Sequence, residues 1–268
     1  LHAHRKTLGG YLPSRRQKAA SLKVPTLDAF ATHLKGTNGR AMSSTMVFVR
    51  ILSTLLKDKT LGERIIAVTP DESRTFGMEG MYRQYGIYSS VGQLFEPEDK
   101  AQMAYYKESK TGQIFEDGLS EAGAMCIWMA AGLSYSTSNL QMIPFYLYYS
   151  MFGFQRTGDL AWASGDMQVR GFLVGGTAGR TTLAGEGLQH QDGHNIIFAG
   201  TIPNCKSYDP TYGYELAVIV QEGLHRMVEK QESIFYYVTI MNENYVHPAM
   251  PKNVEEGILK FKIHLYIV

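Results

Sequence analysis

The sequence predicts an α/β fold built on a largely parallel sheet with helices on both faces. Three observations carry this expectation. Short runs of β-branched and aromatic residues alternate with stretches of helical apolar spacing, the runs are too apolar for strands with one wet face, and acidic or glycine-rich turns follow several of them. The carboxyl ends of strands are where open sheets of this class place ligands.

The elements follow in order. Val47, Ile51 and Leu55, with Phe48, Leu52 and Leu56 beside them, recur at helical spacing after Ser43 and Ser44, either of which can cap the start, so a helix runs to about Lys57. Ile65 to Val68 is a short buried strand that delivers Asp71 and Glu72 at its carboxyl end. A helix from about Glu121 to Gly132, a strand Ile143 to Tyr149, a helix from about Phe154 to Gln168 and a strand Phe172 to Val174 come next. A strand near Asn204 to Ser207, a helix Tyr212 to Glu229 and a strand Ile234 to Ile240 complete the series, with no internal repeat. Between Tyr85 and Gln113 the pattern fails, which marks either a functional loop or a surface insertion.

Composition bounds the function. The 268 residues are 44% hydrophobic and 19% charged with a net charge of +1, too apolar for a disordered polymer and too neutral for a general nucleic-acid binder. The two cysteines, Cys126 and Cys205, lie far apart in sequence, which excludes a disulfide scaffold or zinc ribbon and suits a reducing compartment. The apolar run near Ile143 to Phe154 is about half of the ~20 residues that span a bilayer, so no membrane span is expected. The first 27 residues hold Arg5, Lys6, Arg15, Arg16, Lys18 and Lys23 and no acid; they read as an inter-domain linker or as a basic arm for an acidic partner.

Two stretches invite chemistry. Gly171 to Gly187 is glycine-rich after a strand, but it lacks the lysine of a phosphate loop and the dinucleotide fingerprint. His190, Asp192 and His194 offer donors of the right type for a metal, yet the flanking glycines favour a loop that brings a histidine to an active site for proton transfer.

Longer runs are more specific. Asp71-Glu72-Ser73-Arg74-Thr75-Phe76-Gly77-Met78-Glu79-Gly80, Ile143-Pro144-Phe145-Tyr146, Tyr148-Tyr149-Ser150-Met151-Phe152-Gly153-Phe154-Gln155-Arg156 and Gly187-Leu188-Gln189-His190-Gln191-Asp192-Gly193-His194 closely resemble pyruvate dehydrogenase. The resemblance is to the thiamin-diphosphate-dependent first component of the bacterial homodimeric type. Ile202-Pro203-Asn204-Cys205 and Asn242-Glu243-Asn244-Tyr245 continue it, and it covers about Gly9 to Lys260.

The resemblance implies the middle, pyrimidine-binding domain of a longer polypeptide, transketolase-like in fold. Residues 1–42 then form a basic lead-in, 43–260 the pyrimidine-binding domain and 261–268 a divergent tail. It further implies a cytoplasmic homodimer that acts on pyruvate and acetylates the lipoyl domain of a dihydrolipoyl acetyltransferase, with no nucleic acid or membrane partner. Glu121 matches the glutamate that holds the aminopyrimidine ring nitrogen of thiamin diphosphate, where a carboxyl favours the imino tautomer that removes the thiazolium proton. Phe152 matches the aromatic that stacks on the pyrimidine, Asp71 and Glu72 match acids near the cofactor, His190 matches a histidine near the substrate-derived atoms, and Tyr149 and Arg156 fall in the same motif. Val91 to Lys107 matches a mobile loop of the active centre.

Read from the residues alone, Glu121 is a helix-start carboxylate and Phe152 a core residue at the end of a strand. The Gly-Asp-Gly motif through which such enzymes hold Mg2+ and the diphosphate does not occur, and Gly165-Asp166-Met167 lacks its second glycine. Those ligands are expected outside this chain. A non-catalytic module of the same fold, another thiamin-dependent 2-oxo acid dehydrogenase and a transketolase-like enzyme remain the alternatives.

Overall fold

A computed structural model of the chain describes residues 1–10, 19–70, 73–98, 106–179 and 194–260. After helices α1 (His2–Thr7) and α2 (Ala31–Leu34) and strand β1 (Ala41–Met42), the long helix α3 (Ser44–Leu56) begins at Ser43. The Ser43 hydroxyl accepts the Met46 N–H at 3.1 Å, satisfying one of the donors that a first turn leaves without a helical partner. Then come β2 (Ile65–Thr69), α4 (Tyr82–Tyr85), β3 (Ile87–Tyr88), β4 (Glu108–Ser109), β5 (Ile114–Glu116), α5 (Glu121–Gly132), α6 (Ser134–Thr137) and β6 (Ile143–Tyr149). The chain continues through α7 (Ser150–Asp166), β7 (Phe172–Gly176), α8 (Asn195–Gly200), β8 (Cys205–Tyr208), α9 (Gly213–Leu224), β9 (Phe235–Thr239), β10 (Tyr245–Val246) and α10 (Glu255–Lys260).

Among the described residues, eight strands form one sheet in the order β4-β3-β5-β2-β6-β7-β9-β8, and every pairing is parallel. β1 and β10 pair separately and antiparallel. The expected α/β class with a largely parallel sheet is therefore what the chain adopts. α5 and β6 have the expected bounds, whereas α7 starts four residues earlier than Phe154 and the helix expected from Tyr212 to Glu229 changes to a π turn at His225. The stretch with no readable pattern contains β3 and β4. There the chain crosses over β3 within a few residues, at Gly112: an added Cβ would stand 2.5 Å from the Ile87 and Tyr88 backbone, so only glycine fits this approach.

Alternation along the strands sorts the core into two layers. Ile65, Ala67, Phe145, Leu147, Phe172 and Val174 face α3, α9 and the 76–85 segment, while Ile66, Val68, Tyr146, Tyr148 and Leu173 face α5, α7 and α8. The handedness of parallel connections explains which helix goes where. Moves along the sheet from β5 to β6, β6 to β7 and β7 to β8 run one way, and their helices lie on one face; β2 to β3 and β8 to β9 run the other way, and their connections lie on the opposite face. On the α3 side, Phe145 and Phe172 stack with centroids 4.6 Å apart and planes at 2°, worth about 0.5–1.5 kcal/mol beyond the area they bury. Pro144 is tolerated in a central strand because the pairing with β7 starts only at Phe145.

On the α5 side, Tyr148 is fully buried against Tyr146, Phe154 and Tyr237, and its hydroxyl has no hydrogen-bond partner among the described residues. An unsatisfied buried hydroxyl costs about 1–3 kcal/mol. Tyr148→Phe in the full-length protein should thus raise the midpoint of thermal unfolding; a fall would reveal a partner for that hydroxyl.

Candidate functional site

The site forms where the strand order reverses. The chain leaves β2 for β3, β4 and β5 on one side and returns at β6 on the other, which opens a crevice beyond the carboxyl ends of these strands. Two helices start on this rim, α5 at Glu121 and α7 at Ser150.

Ser120 starts α5, its hydroxyl accepting the Gly123 N–H at 3.0 Å, so Glu121 opens the first turn at the positive end of the helix dipole. Tyr146 on β6 donates its hydroxyl to the Glu121 carbonyl at 2.8 Å and ties this turn to the sheet. Burial, with the nearby Glu121 and Asp117 charges adding to it, pushes the Tyr146 phenol far above its usual range, so it remains a donor at any working pH. Tyr146→Phe would leave the helix fold intact but free the Glu121 turn from β6; we expect full-length turnover to fall with thermal stability lowered by about 1 kcal/mol. Unchanged kinetics would show that this anchor does not matter for the site.

Tyr149 ends β6 and passes straight into α7, with no side-chain cap. Phe152 therefore sits in the first turn of that helix and is half-buried, instead of closing the strand as a core residue. The Tyr149 ring packs edge-on against Phe152, with centroids 6.5 Å apart, and against Phe76 at 5.6 Å. Phe76 is itself pressed onto β7, where a Cβ on Gly176 would lie 2.3 Å from its ring. One turn along α7, Arg156 places its guanidinium 3.5 Å above the Phe152 ring and its Nη1 3.5 Å from Glu121 Oε1.

The structure thus brings Glu121, Tyr149, Phe152 and Arg156 together. Asp71, Glu72 and His190 lie outside the described residues, as does most of the glycine-rich stretch that follows β7. Beyond Glu72, Ser73 hydrogen-bonds to both Glu116 and Tyr82 and fixes the chain to the end of β5. Burial is the main cause that pushes the Tyr82 phenol up to about 12. Phe76, Tyr146 and Ser73 are supports that the sequence reading did not single out for the site. Phe76 stands within one of the motifs, but nothing in residue type or spacing distinguishes it from a core aromatic.

Among the described residues no group of three or more His, Cys, Asp or Glu side chains could hold a metal ion, and no helix is long and apolar enough to cross a membrane.

A parallel sheet with helices on both faces is an architecture shared with solved structures. Transketolase from Campylobacter jejuni matches the fold with a TM-score of 0.59 at 15% identity, over 83% of this chain and 29% of that one. A transketolase from Pichia stipitis matches with 0.58 at 16% identity, over 91% and 32%. The fold is transketolase-like. Within that class the sequence is more specific: the model of the pyruvate dehydrogenase E1 component middle domain matches residues 22–248, and the chain belongs to that family. It is 64% identical over 260 residues to the pyruvate dehydrogenase E1 component of Pseudomonas aeruginosa, and 58% identical over 262 residues to that of Escherichia coli K12. These alignments cover 97% of this chain but only 30% and 29% of the relatives, so the chain spans less than a third of their length.

Proposed function

We propose that this chain supplies the aminopyrimidine side of a thiamin diphosphate site in a cytoplasmic, homodimeric pyruvate dehydrogenase. That protein would decarboxylate pyruvate oxidatively and pass the acetyl unit to the lipoyl domain of a dihydrolipoyl acetyltransferase. The observation that carries this reading is the way Arg156 sits between Glu121 and Phe152. A planar N–H-bearing group already lies on the Phe152 face with one edge toward the Glu121 carboxylate, which are the two contacts an aminopyrimidine requires. The residues present therefore fit that half of the cofactor.

Thiamin diphosphate, when bound, supplies an acidic thiazolium carbon and an electron sink for decarboxylation. Glu121 would hold a proton at the pyrimidine ring nitrogen, Phe152 and Tyr149 would present aromatic surface, and Arg156 marks the Phe152 face that the ring would take. Asp71, Glu72 and His190 are assigned to the same site, Glu72 and His190 on the reacting side. Mg2+ and the diphosphate are assigned to ligands outside this chain. Residues 43–260 are proposed as the pyrimidine-binding domain, with 1–42 as its lead-in.

Phe152→Ala in the full-length protein should weaken thiamin diphosphate binding by about 1–3 kcal/mol, the worth of a base stacked on an aromatic. Isothermal titration checks this, and an unchanged affinity would remove Phe152 from the site. Turnover of pyruvate against larger 2-oxo acids, with a lipoyl domain as acceptor, decides the substrate: no preference for pyruvate would contradict the proposal.

A further inference from the structure

We propose a second, anion-binding site in the cleft between the 32–42 segment, the start of α3 and the start of α9, made for a small oxyanionic metabolite, phosphorylated or polycarboxylic. The cleft measures about 640 Å³ and shares no residue with the Glu121 site. Small-molecule sites run from roughly 300 to 1,000 Å³, so it is of ligand size. Arg40, Arg50, His33 and His247 line it, and no lining residue is acidic. Two guanidinium charges in one cleft do not simply reflect a basic chain, because the net charge of the whole chain is only +1.

Among the described residues, neither arginine makes an ion pair. Arginine–carboxylate pairs such as Arg74–Glu79, Arg156–Glu121 and Arg226–Glu232 lie elsewhere. Burial first, and then the Arg50 charge, push the His33 imidazole down to about 4. A planar guanidinium presents a fork of donors that matches the oxygens of phosphate or carboxylate, and paired forks select multivalent oxyanions.

The walls are built in advance. His247 is buried, with Nδ1 taking the Gly213 N–H at 2.9 Å and Nε2 on the Met42 carbonyl at 2.8 Å, so both ring nitrogens are engaged and it serves as a structural pin. Thr37 N–H donates to the His247 carbonyl at 2.9 Å while the Thr37 hydroxyl accepts the His247 N–H at 3.0 Å. The turn that carries Arg40 is thereby clipped to the strand pair of β1 and β10. A ligand meets a preformed cleft and does not have to order it.

The test uses the full-length protein saturated with thiamin diphosphate and Mg2+, so that added phosphate cannot act at the cofactor. Arginines are labelled with phenylglyoxal and histidines with diethylpyrocarbonate, with inorganic phosphate or citrate present or absent, and each peptide is read by mass spectrometry. Labelling of Arg40, Arg50 and His33 should fall about tenfold once occupancy passes about nine-tenths, since only empty sites react. Arg64, outside the cleft, should be unaffected. The two arms tell phosphate from carboxylate. In the R40Q/R50Q double variant the anion should no longer protect His33, while basal turnover stays unchanged. Equal labelling with and without both anions would overturn the proposal, as would protection that survives in the double variant. It would also be overturned if Arg40, Arg50 and His33 resisted labelling without any anion, because the cleft would then be filled by another part of the protein.

Discussion

Glu121→Ala in the full-length protein is expected to lower pyruvate turnover by about 10²–10⁴, the range for a positioned acid–base group, with the folded fraction unchanged. The separation of the two effects follows from how Glu121 is held. Ser120, not Glu121, caps α5, and the tie to β6 runs from Tyr146 to the Glu121 backbone carbonyl, which alanine retains. What the protein loses is a dipole complement of about 0.3–1 kcal/mol and an ion pair with a half-exposed Arg156, worth about 0–1 kcal/mol. Turnover within a few-fold of wild type would remove Glu121 from the chemistry, whereas a collapse of thermal stability would recast it as structural.

Trp128→Ala should be the most destabilising of the substitutions considered, by about 3–5 kcal/mol. Trp128 lies in the middle of α5, fully buried, with its ring edge-on to Phe235 at 5.7 Å and its Nε1–H donating to the Phe172 carbonyl at 3.1 Å. Alanine opens a cavity between helix and sheet and strips that carbonyl of its indole donor. Because the same helix opens at Glu121, loss of this contact should also reduce turnover, and Trp128→Phe should restore much of the stability without the hydrogen bond. Equilibrium unfolding of the full-length protein in urea measures both variants. A cost below about 1 kcal/mol would show that α5 is not held by this residue.

The sheet was legible where strands are long and buried. Ile143–Tyr149 is a seven-residue apolar run, and Glu121–Gly132 follows a serine cap, so residue chemistry alone marked their limits. β3 and β4 are two residues each, too short for an alternating pattern, and the crossing at Gly112 depends on a partner strand rather than on local sequence. The start of α7 is not legible for a different reason. Tyr149 runs from strand into helix with no capping side chain, glycine or proline to announce it, and this is why Phe152 reads as a strand-end core residue until the helix is seen. For the site, motif resemblance supplied Glu121, Tyr149, Phe152 and Arg156; their contact is a tertiary fact, since Glu121 and Arg156 are joined only by the packing of α5 and α7 on one face of the sheet.

The central claim is a hydrogen bond between Glu121 and the pyrimidine ring nitrogen of thiamin diphosphate. It is tested most directly by a cycle that pairs Glu121→Ala with a thiamin diphosphate analogue in which that nitrogen is replaced by carbon. Turnover of pyruvate by the full-length protein should fall by about 10²-fold or more for either change alone, and by little further for both together, because each removes the same interaction. Losses that multiply independently would contradict the account.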